Sequence, residues 1–498
     1  MKKYLLLFAL TIVISGNNLF AGAIVLTDAQ NVALNFFKVN NAGLADLSAT
    51  LKYTKPGPNG SIDFYVFDIS PVKGFVIVAG DDNVVPILAY SNTGNFRSDF
   101  ERTGLSNWMY KTAANIDLAL QHQVVADTRI QKQWAAYRQG QNPAVLRSST
   151  VSPMCTTAWD QENSVSNPPP YLYNLLCPYN NSDHQRALTG CVATAMAQIM
   201  KFWNYPTVGI GSFSYNDNTS NGYSANYGTL STNFAAHTYQ WSQMPATLTG
   251  SETALQDSAV DVLMYDCAVS VGMDFGDDNQ NGSGAEGLLA FEVQYGDSFC
   301  SQYAFTKYFS YDADTIFGAV EDQYTASAWT ALIKHDLDMG RVSLYEGNDT
   351  AQGGHAWVCD GYDANNMLHM NWGWSGSDNG YFAINNLTTT GNFNPILEDA
   401  ALIGIMPKRT HASGISTVGA DMSFDMYPNP ASREVVIKTI TGNGYMLSIR
   451  NILGQTVISQ NIDAEQTQMD LSGYENGIYL VELRVGEKST VKKLVVNR

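Results

Sequence analysis

Positive charge is scarce in this chain: 28 Lys and Arg stand against 46 Asp and Glu in 498 residues, a net charge of −18. Phosphate backbones are bound by basic surfaces that displace counterions, so nucleic acid is excluded as the main partner. Long apolar runs are missing too. Beyond residue 15 nothing approaches the roughly 18 residues that a membrane-spanning helix needs, so no transmembrane segment is expected in the mature chain. Cysteine is sparse, with six residues at 155, 177, 191, 267, 300 and 359 and no CxxC or Cys/His zinc spacing. Neither a disulfide framework nor a structural zinc site fits that pattern. Cys155 and Cys177 flank the Pro-rich stretch at 167–170 and are candidates for one pair, whereas Cys359 lies in an apolar run and reads as a buried hydrophobe.

What is abundant points to packed, turn-rich domains: 41 Gly, 27 Tyr, 21 Phe and 9 Trp, with 45% hydrophobic residues. The length suffices for two to four domains. Lys2 and Lys3, the apolar run from Tyr4 to Ser15 and the small-residue stretch Ala21-Gly22-Ala23 form a secretory signal with an A-x-A cleavage site, giving a signal peptide over 1–23. Next, Leu26 to Phe37 has apolar residues at helical spacing. Strand-like runs follow at 64–67, 74–79 and 86–90, and a helical, polar stretch over 104–140 ends in the linker-like segment 139–143. Residues 24–147 are therefore expected to form an α+β unit. Residues 148–408 are rich in Trp, Tyr, Gly and Asn, with helices at 191–203 and near 254–271 and strands in the second half. A polar linker at 409–425 leads to 426–498, where strand-like runs punctuated by turn residues predict a small all-β sandwich.

The chemistry-bearing residues lie in the central segment. In Thr189-Gly190-Cys191-Val192 a cysteine opens a helix whose positive end favours thiolate. Thr189 is the expected N-cap, and Gly190 leaves room for a substrate backbone beside the sulfur. A nucleophilic thiol needs a base, and His355 in Gly353-Gly354-His355-Ala356 has glycines that clear space around its imidazole. The chain turns at 363–366 and returns through Asn371-Trp372-Gly373-Trp374. An odd-numbered turn would set His355 and Asn371 on one face, with the Asn amide fixing the imidazole tautomer and Trp372 or Trp374 shielding that bond. For the oxyanion, the Cys191 backbone N–H and the Gln161 amide are the expected donors. Taken singly, each residue has a structural reading, a buried thiol or a satisfied strand histidine; together they favour a Cys-His-Asn arrangement.

Thr189 to Met200, Gly353-Gly-His-Ala, His369-Met-Asn-Trp-Gly-Trp374 and Asp378-Asn-Gly-Tyr381 resemble the streptopain family of secreted cysteine peptidases in the papain-like clan. The resemblance implies a two-lobed papain-like α+β catalytic domain with Cys191 as nucleophile, His355 as base, Asn371 as orienter and Gln161 in the oxyanion hole. It also implies that 24–147, notably Gly74 to Gly80 and Leu88 to Ser91, is an inhibitory pro-domain removed by cleavage near Arg147. Tyr427-Pro-Asn-Pro430 and Gly477 to Val481 are similar to the C-terminal sorting domains of type IX secretion. The expected partners are accordingly protein or peptide substrates, the chain's own pro-domain and the type IX machinery. The expected location is the cell surface or medium, after passage through periplasm and outer membrane.

No cofactor is expected. Asp277 to Gly282 imitates the first half of a calcium loop, but Leu288 stands where a bidentate Glu is required, and the segment reads as a Gly/Asn loop beside the cleft. The chain is thus expected to be a cysteine endopeptidase made as a zymogen. The alternatives are a non-catalytic binding or adhesion protein on the same scaffold, and an acyltransferase using the same three residues.

Overall fold

The computed structural model describes residues 22–98, 103–143, 149–161, 173–182, 184–217, 226–277, 282–288, 299–349, 353–384, 387–388, 399–408, 424–439, 444–451, 456–485 and 488–497. Almost all of the signal peptide and of the linker, and four positions of the calcium-like loop, lie outside them.

The first unit runs α1 (Leu26–Asn40), β1 (Ser48–Pro56), β2 (Ile62–Ser70), β3 (Phe75–Ala79), β4 (Ile87–Ser91), α2 (Gly104–Gln121) and α3 (Thr128–Arg138). Ala29, Val32, Ala33, Phe36 and Phe37 recur at helical spacing on α1 and are the residues it buries. Side-chain caps start the other two helices: Thr103 accepts from the Ser106 N–H and Asp127 from the Ile130 N–H.

The second unit contains β5 (Tyr179–Asn180), β6 (Gln185–Arg186), α4 (Cys191–Trp203), β7 (Phe213–Asp217), β8 (Gly228–Thr232), α5 (Ala254–Ser270), α6 (Ser301–Lys307), β9 (Phe317–Val320), α7 (Ala326–Asp338), β10 (Ser343–Asp349), β11 (Gly353–Tyr362), β12 (Leu368–Asn371), β13 (Gly380–Phe382) and β14 (Asp399–Ile403). Strands of both units join in one ten-stranded sheet, ordered β1-β2-β3-β4-β13-β12-β11-β10-β14-β9. The seam is the antiparallel pair β4–β13, where Tyr90 faces Tyr381 and Ala89 faces Phe382. One face of β10, β11 and β14 packs Leu344, Val358 and Leu402 with α4 and α5 into one core. The opposite face sends Tyr345, Trp357 and Cys359 into a second core shared with α1 to α3. Two cores divided by a sheet give the two lobes, and the first unit completes the second of them.

The tail forms β15 (Phe424–Tyr427), β16 (Glu434–Thr439), β17 (Tyr445–Asn451), β18 (Thr456–Ile462), β19 (Gln466–Asp470), β20 (Gly477–Val485) and β21 (Lys488–Val496). They make a three-stranded and a four-stranded sheet around Val435, Ile437, Leu447, Ile449, Val481 and Leu483, the expected sandwich. All six cysteines are free thiols, so the Cys155–Cys177 pair is not formed. Cys177 instead lies 3.7 Å from the Thr189 hydroxyl in the core. Cys359 is fully buried.

Candidate active site

Cys191 is the first residue of α4, and the cap before it is Gly190, with φ 91° and no side-chain cap bond. The expected cap, Thr189, donates its hydroxyl to the Tyr173 carbonyl and is thereby turned away from the helix end. Glycine is required at 190 twice over. Its φ lies in the left-handed region, and a Cβ there would sit 2.6 Å from Met273 Sδ. From Val192 to Met200 every residue of α4 is buried, which fixes the helix and its first residue in place.

The helix meets β11 beside the nucleophile. Backbone N–H groups of Ala356, Val192 and Cys191 itself face the sulfur and favour thiolate, but burial dominates and the Glu346 carboxyl adds to it, so the thiol is pushed up to about 11. This reverses the lowering expected from the helix end alone, because that effect is outweighed where water is excluded. His355 is shifted the opposite way: burial pushes its imidazole down to about 4. Its Nδ1 is buried without a hydrogen-bond partner. Thiol and imidazole are both uncharged here across the neutral range.

Asn371 does not hold the imidazole in this form. Its Nδ2 donates to the Thr157 carbonyl at 2.7 Å and to Gln198 Oε1 at 3.1 Å, and its Oδ1 accepts from the Gly373 N–H at 3.3 Å. The reason is a one-residue register shift between Cys359 and Gly361, a bulge at Asp360. Without it Asn371 would oppose Cys359, four residues from His355 and on its face. With it Asn371 opposes Val358, three residues away, so regular alternation sets the two side chains on opposite faces. The bulged Asp360 is not idle: it bonds His369 Nδ1 at 2.6 Å and accepts the Cys155 N–H at 2.8 Å, tying the start of the domain to the sheet.

Gln161 is buried, and its carbonyl accepts the Thr189 N–H at 2.9 Å, which brings its loop onto the segment that carries Cys191. Trp372 packs at 4.8 Å from the Trp357 ring and donates its indole N–H to the Asp378 carbonyl. It thus fills the core shared with the first unit rather than covering a His–Asn bond. Trp374 is half-buried, with the Arg97 guanidinium 5.9 Å above its ring. Gly354 pairs with Asn348 on the neighbouring strand. A further residue, Gln198, was not singled out from sequence. It is fully buried, and its Oε1 accepts from Thr157 Oγ1, the Trp159 N–H and Asn371. Its signal was the spacing: seven residues after Cys191, it falls on the same side of α4. Among the described residues no group of three or more His, Cys, Asp or Glu could hold a metal ion.

Residues 168–382 match the Peptidase C10 family, 21–116 the Spi protease inhibitor and 425–497 the secretion system C-terminal sorting domain. The chain carries a streptopain-family cysteine peptidase domain. It is 29% identical over 401 residues to streptopain of Streptococcus pyogenes, covering 76% of this chain and 91% of that protein. To the thiol protease/hemagglutinin PrtT of Porphyromonas gingivalis it is 27% identical over 404 residues, 79% of this chain but 43% of the relative's length. Among solved structures, prointerpain A of Prevotella intermedia superposes with a TM-score of 0.56 and 25% identity, over 73% of this chain and 100% of that one. The chain is therefore a secreted cysteine protease zymogen, with an inhibitory pro-domain ahead of the peptidase domain and a type IX sorting tail behind it.

Proposed function

We propose that the mature enzyme is an endopeptidase acting on protein or peptide substrates, with Cys191 as nucleophile and His355 as general base. The observation that carries this is Cys191 at the start of a helix buried from Val192 to Met200, with the Ala356 N–H facing its sulfur. In the reaction Sγ attacks the scissile carbonyl carbon while the thiol proton passes to the imidazole. The imidazole protonates the departing amine, and water then hydrolyses the acyl-thioester. The Cys191 N–H and the Gln161 amide receive the oxyanion.

The pro-domain-bound form is a resting state in this reading. A neutral, buried thiol and an imidazole facing away from Asn371 do not make an ion pair. Removing 24–147 opens the second core and frees β11 to bring His355 into the cleft, where Asn371 orients it and Trp372 or Trp374 shields that contact. Cleavage near Arg147 separates 24–147 from a peptidase domain at 148–408, with 409–425 as linker and 426–498 as the sorting sandwich.

The test is intact mass over time for the chain lacking 1–23, beside Cys191→Ala, under reducing conditions. Wild type is expected to trim itself to a core beginning near residue 148 while the variant stays whole. If neither changes and casein remains intact after an added protease has removed the pro-region, the chain is a binding protein on a peptidase scaffold.

A further inference from the structure

Two buried amides, Gln198 on α4 and Asn371 at the end of β12, meet in the core of the site, and the groups around them fix which way round each one sits. Gln198 is fully buried. Its Oε1 faces the Trp159 backbone N–H at 3.3 Å, which can only donate, and Thr157 Oγ1 at 3.0 Å. That end of Gln198 is therefore the oxygen. Asn371 is buried as well, and its Nδ2 faces the Thr157 carbonyl at 2.7 Å, which can only accept, and Gln198 Oε1 at 3.1 Å. That end of Asn371 is therefore the nitrogen.

The other end of Asn371, its Oδ1, is held more loosely, 3.3 Å from the Gly373 N–H and 3.5 Å from Gln198 Nε2. Turning this amide round would set its oxygen against the Thr157 carbonyl and Gln198 Oε1, and its NH2 against the Gly373 N–H and Gln198 Nε2. Every contact would then be like against like, in a place where water cannot relieve it. Gln198 makes two of these four contacts and so reads both ends of the Asn371 amide. Its own orientation is set independently, by the Trp159 N–H and the Thr157 hydroxyl.

We propose that Gln198 is a positioning residue of the peptidase reaction: it keeps Nδ2 of Asn371 engaged, so that Oδ1 is the end offered to the His355 imidazole in the processed enzyme. This rests on the peptidase reading above. The amide is already set in the zymogen, before the imidazole reaches it, so an acceptor for the ring N–H is in place when the ion pair forms. That acceptor favours the protonated ring. The ring must carry its proton for the Cys191 thiolate to persist and for the departing amine to be protonated. Gln198 acts on this chemistry through Asn371.

The test follows kcat, KM and the pH profile of kcat/KM on an internally quenched peptide, with every zymogen processed by the same added protease. Gln198→Met keeps the length of the side chain and removes its amide. It is expected to lower kcat roughly tenfold with KM within about threefold, the effect of one buried hydrogen bond lost. The alkaline limb of the profile is expected to fall by about one pH unit, because an imidazolium without its acceptor releases its proton more readily. The other titratable groups of the site, Cys191, Glu346 and Asp160, are the same in every variant, so the limb reports on the imidazolium. Gln198→Glu, whose carboxylate accepts from the same three donors, is expected to return the limb to the wild-type position or above it. In an Asn371→Ala background Gln198→Met is expected to change neither kcat nor the limb further. A methionine penalty that persists undiminished beside Asn371→Ala, or a limb that stays put while kcat falls, makes Gln198 a packing residue of α4 and overturns the proposal while leaving the peptidase intact. If Gln198→Met does not fold, Gln198→Glu carries the test: a limb at or above the wild-type position supports the proposal, and one that falls overturns it. Failure of the wild type to cleave any peptide overturns this proposal and the peptidase reading together.

Discussion

A thiol held at about 11 and an imidazole at about 4 leave Cys191 nearly unreactive while the pro-domain is in place. At pH 7 only about one thiol in ten thousand is then thiolate, and thiolate is the species that alkylates. Iodoacetamide is therefore expected to modify Cys191 in the full-length species at least a hundredfold more slowly than in the trimmed species, when intact mass resolves the two in one sample. The rate in the full-length species should climb about tenfold per pH unit from 7 to 10, whereas the trimmed species, with its ion pair formed, reacts fast and nearly independently of pH over that range. Equal rates in the two species would mean that the pro-domain does not control the thiol. Gln198 belongs to the same scale. It occupies the Asn371 amide in this form, and its three acceptor bonds also hold Thr157 and Trp159 on the nucleophile side of the cleft.

Among the elements, the pro-domain has its own pH response through α2 and β2. Asp63 on β2 is buried, and loss of water, then the charge of Asp117 on α2, pushes it up to about 7. One oxygen of each carboxyl is buried and unpartnered. The folded pair therefore holds a proton that the unfolded chain, with an Asp near 4, has already released. Between about pH 4 and 7 the native state binds more protons than the unfolded one, so stability falls as pH rises through that window. In Cys191→Ala, which stays whole, the urea midpoint of the pro-domain transition is expected to drop between pH 5 and 8. Asp63→Asn should flatten that drop and raise the midpoint at pH 8; a profile unchanged by the substitution would show that the pair is not the cause. How legible such elements were depended on where their information lies. α1 and α4 announce themselves by apolar periodicity, and Cys191 by its place before a buried helix. The edge strand β1 did not, because most of its residues are exposed or half-buried and few are committed to a core. In α2, part of the stretch that sequence marks only as helical and polar, Ser106, Asn107, Lys111, Thr112 and Asn115 are all buried, and Asn107 and Lys111 among them meet the other unit at Gly347, Glu321 and Asp399. The His355–Asn371 relation was lost to a single bulged residue, which leaves no mark in a hydrophobic pattern but reverses which side chains share a face.

At the scale of the whole molecule, inhibition is built as shared structure. The pro-domain contributes four strands to the peptidase sheet, and its Gly104 lies so close to Trp357 and Trp372 that a Cβ there would fall 2.7 to 2.8 Å from their rings. Asn107 donates to the Gly347 carbonyl at 2.9 Å, one residue from Glu346. The polar anchor is Lys111, whose ammonium lies 2.6 Å from Glu321 and 2.9 Å from Asp399. Burial works against that charge, but Asp399 and Glu321 outweigh it and hold the lysine above its ordinary value. Asp399 is engaged further by the Tyr345 hydroxyl, which takes the Trp329 indole N–H in turn. Removing the lysine takes away the cation that both carboxylates share under the pro-domain, which costs about 3–5 kcal/mol for a buried pair. A separately produced 24–147 fragment is accordingly expected to inhibit the trimmed enzyme in trans, and Lys111→Met to weaken it by roughly a hundredfold or more. Because the methionine keeps most of the aliphatic stem, loss of packing alone would cost far less. The charge account makes a second demand: Asp399→Asn together with Glu321→Gln in the enzyme should restore much of the Lys111→Met fragment's inhibition. If the neutral fragment inhibits as well as the charged one, or the neutralised enzyme gives no recovery, the apolar seam and the strand pairing at Tyr90 and Tyr381 hold the zymogen closed, and Lys111 is only a passenger in it.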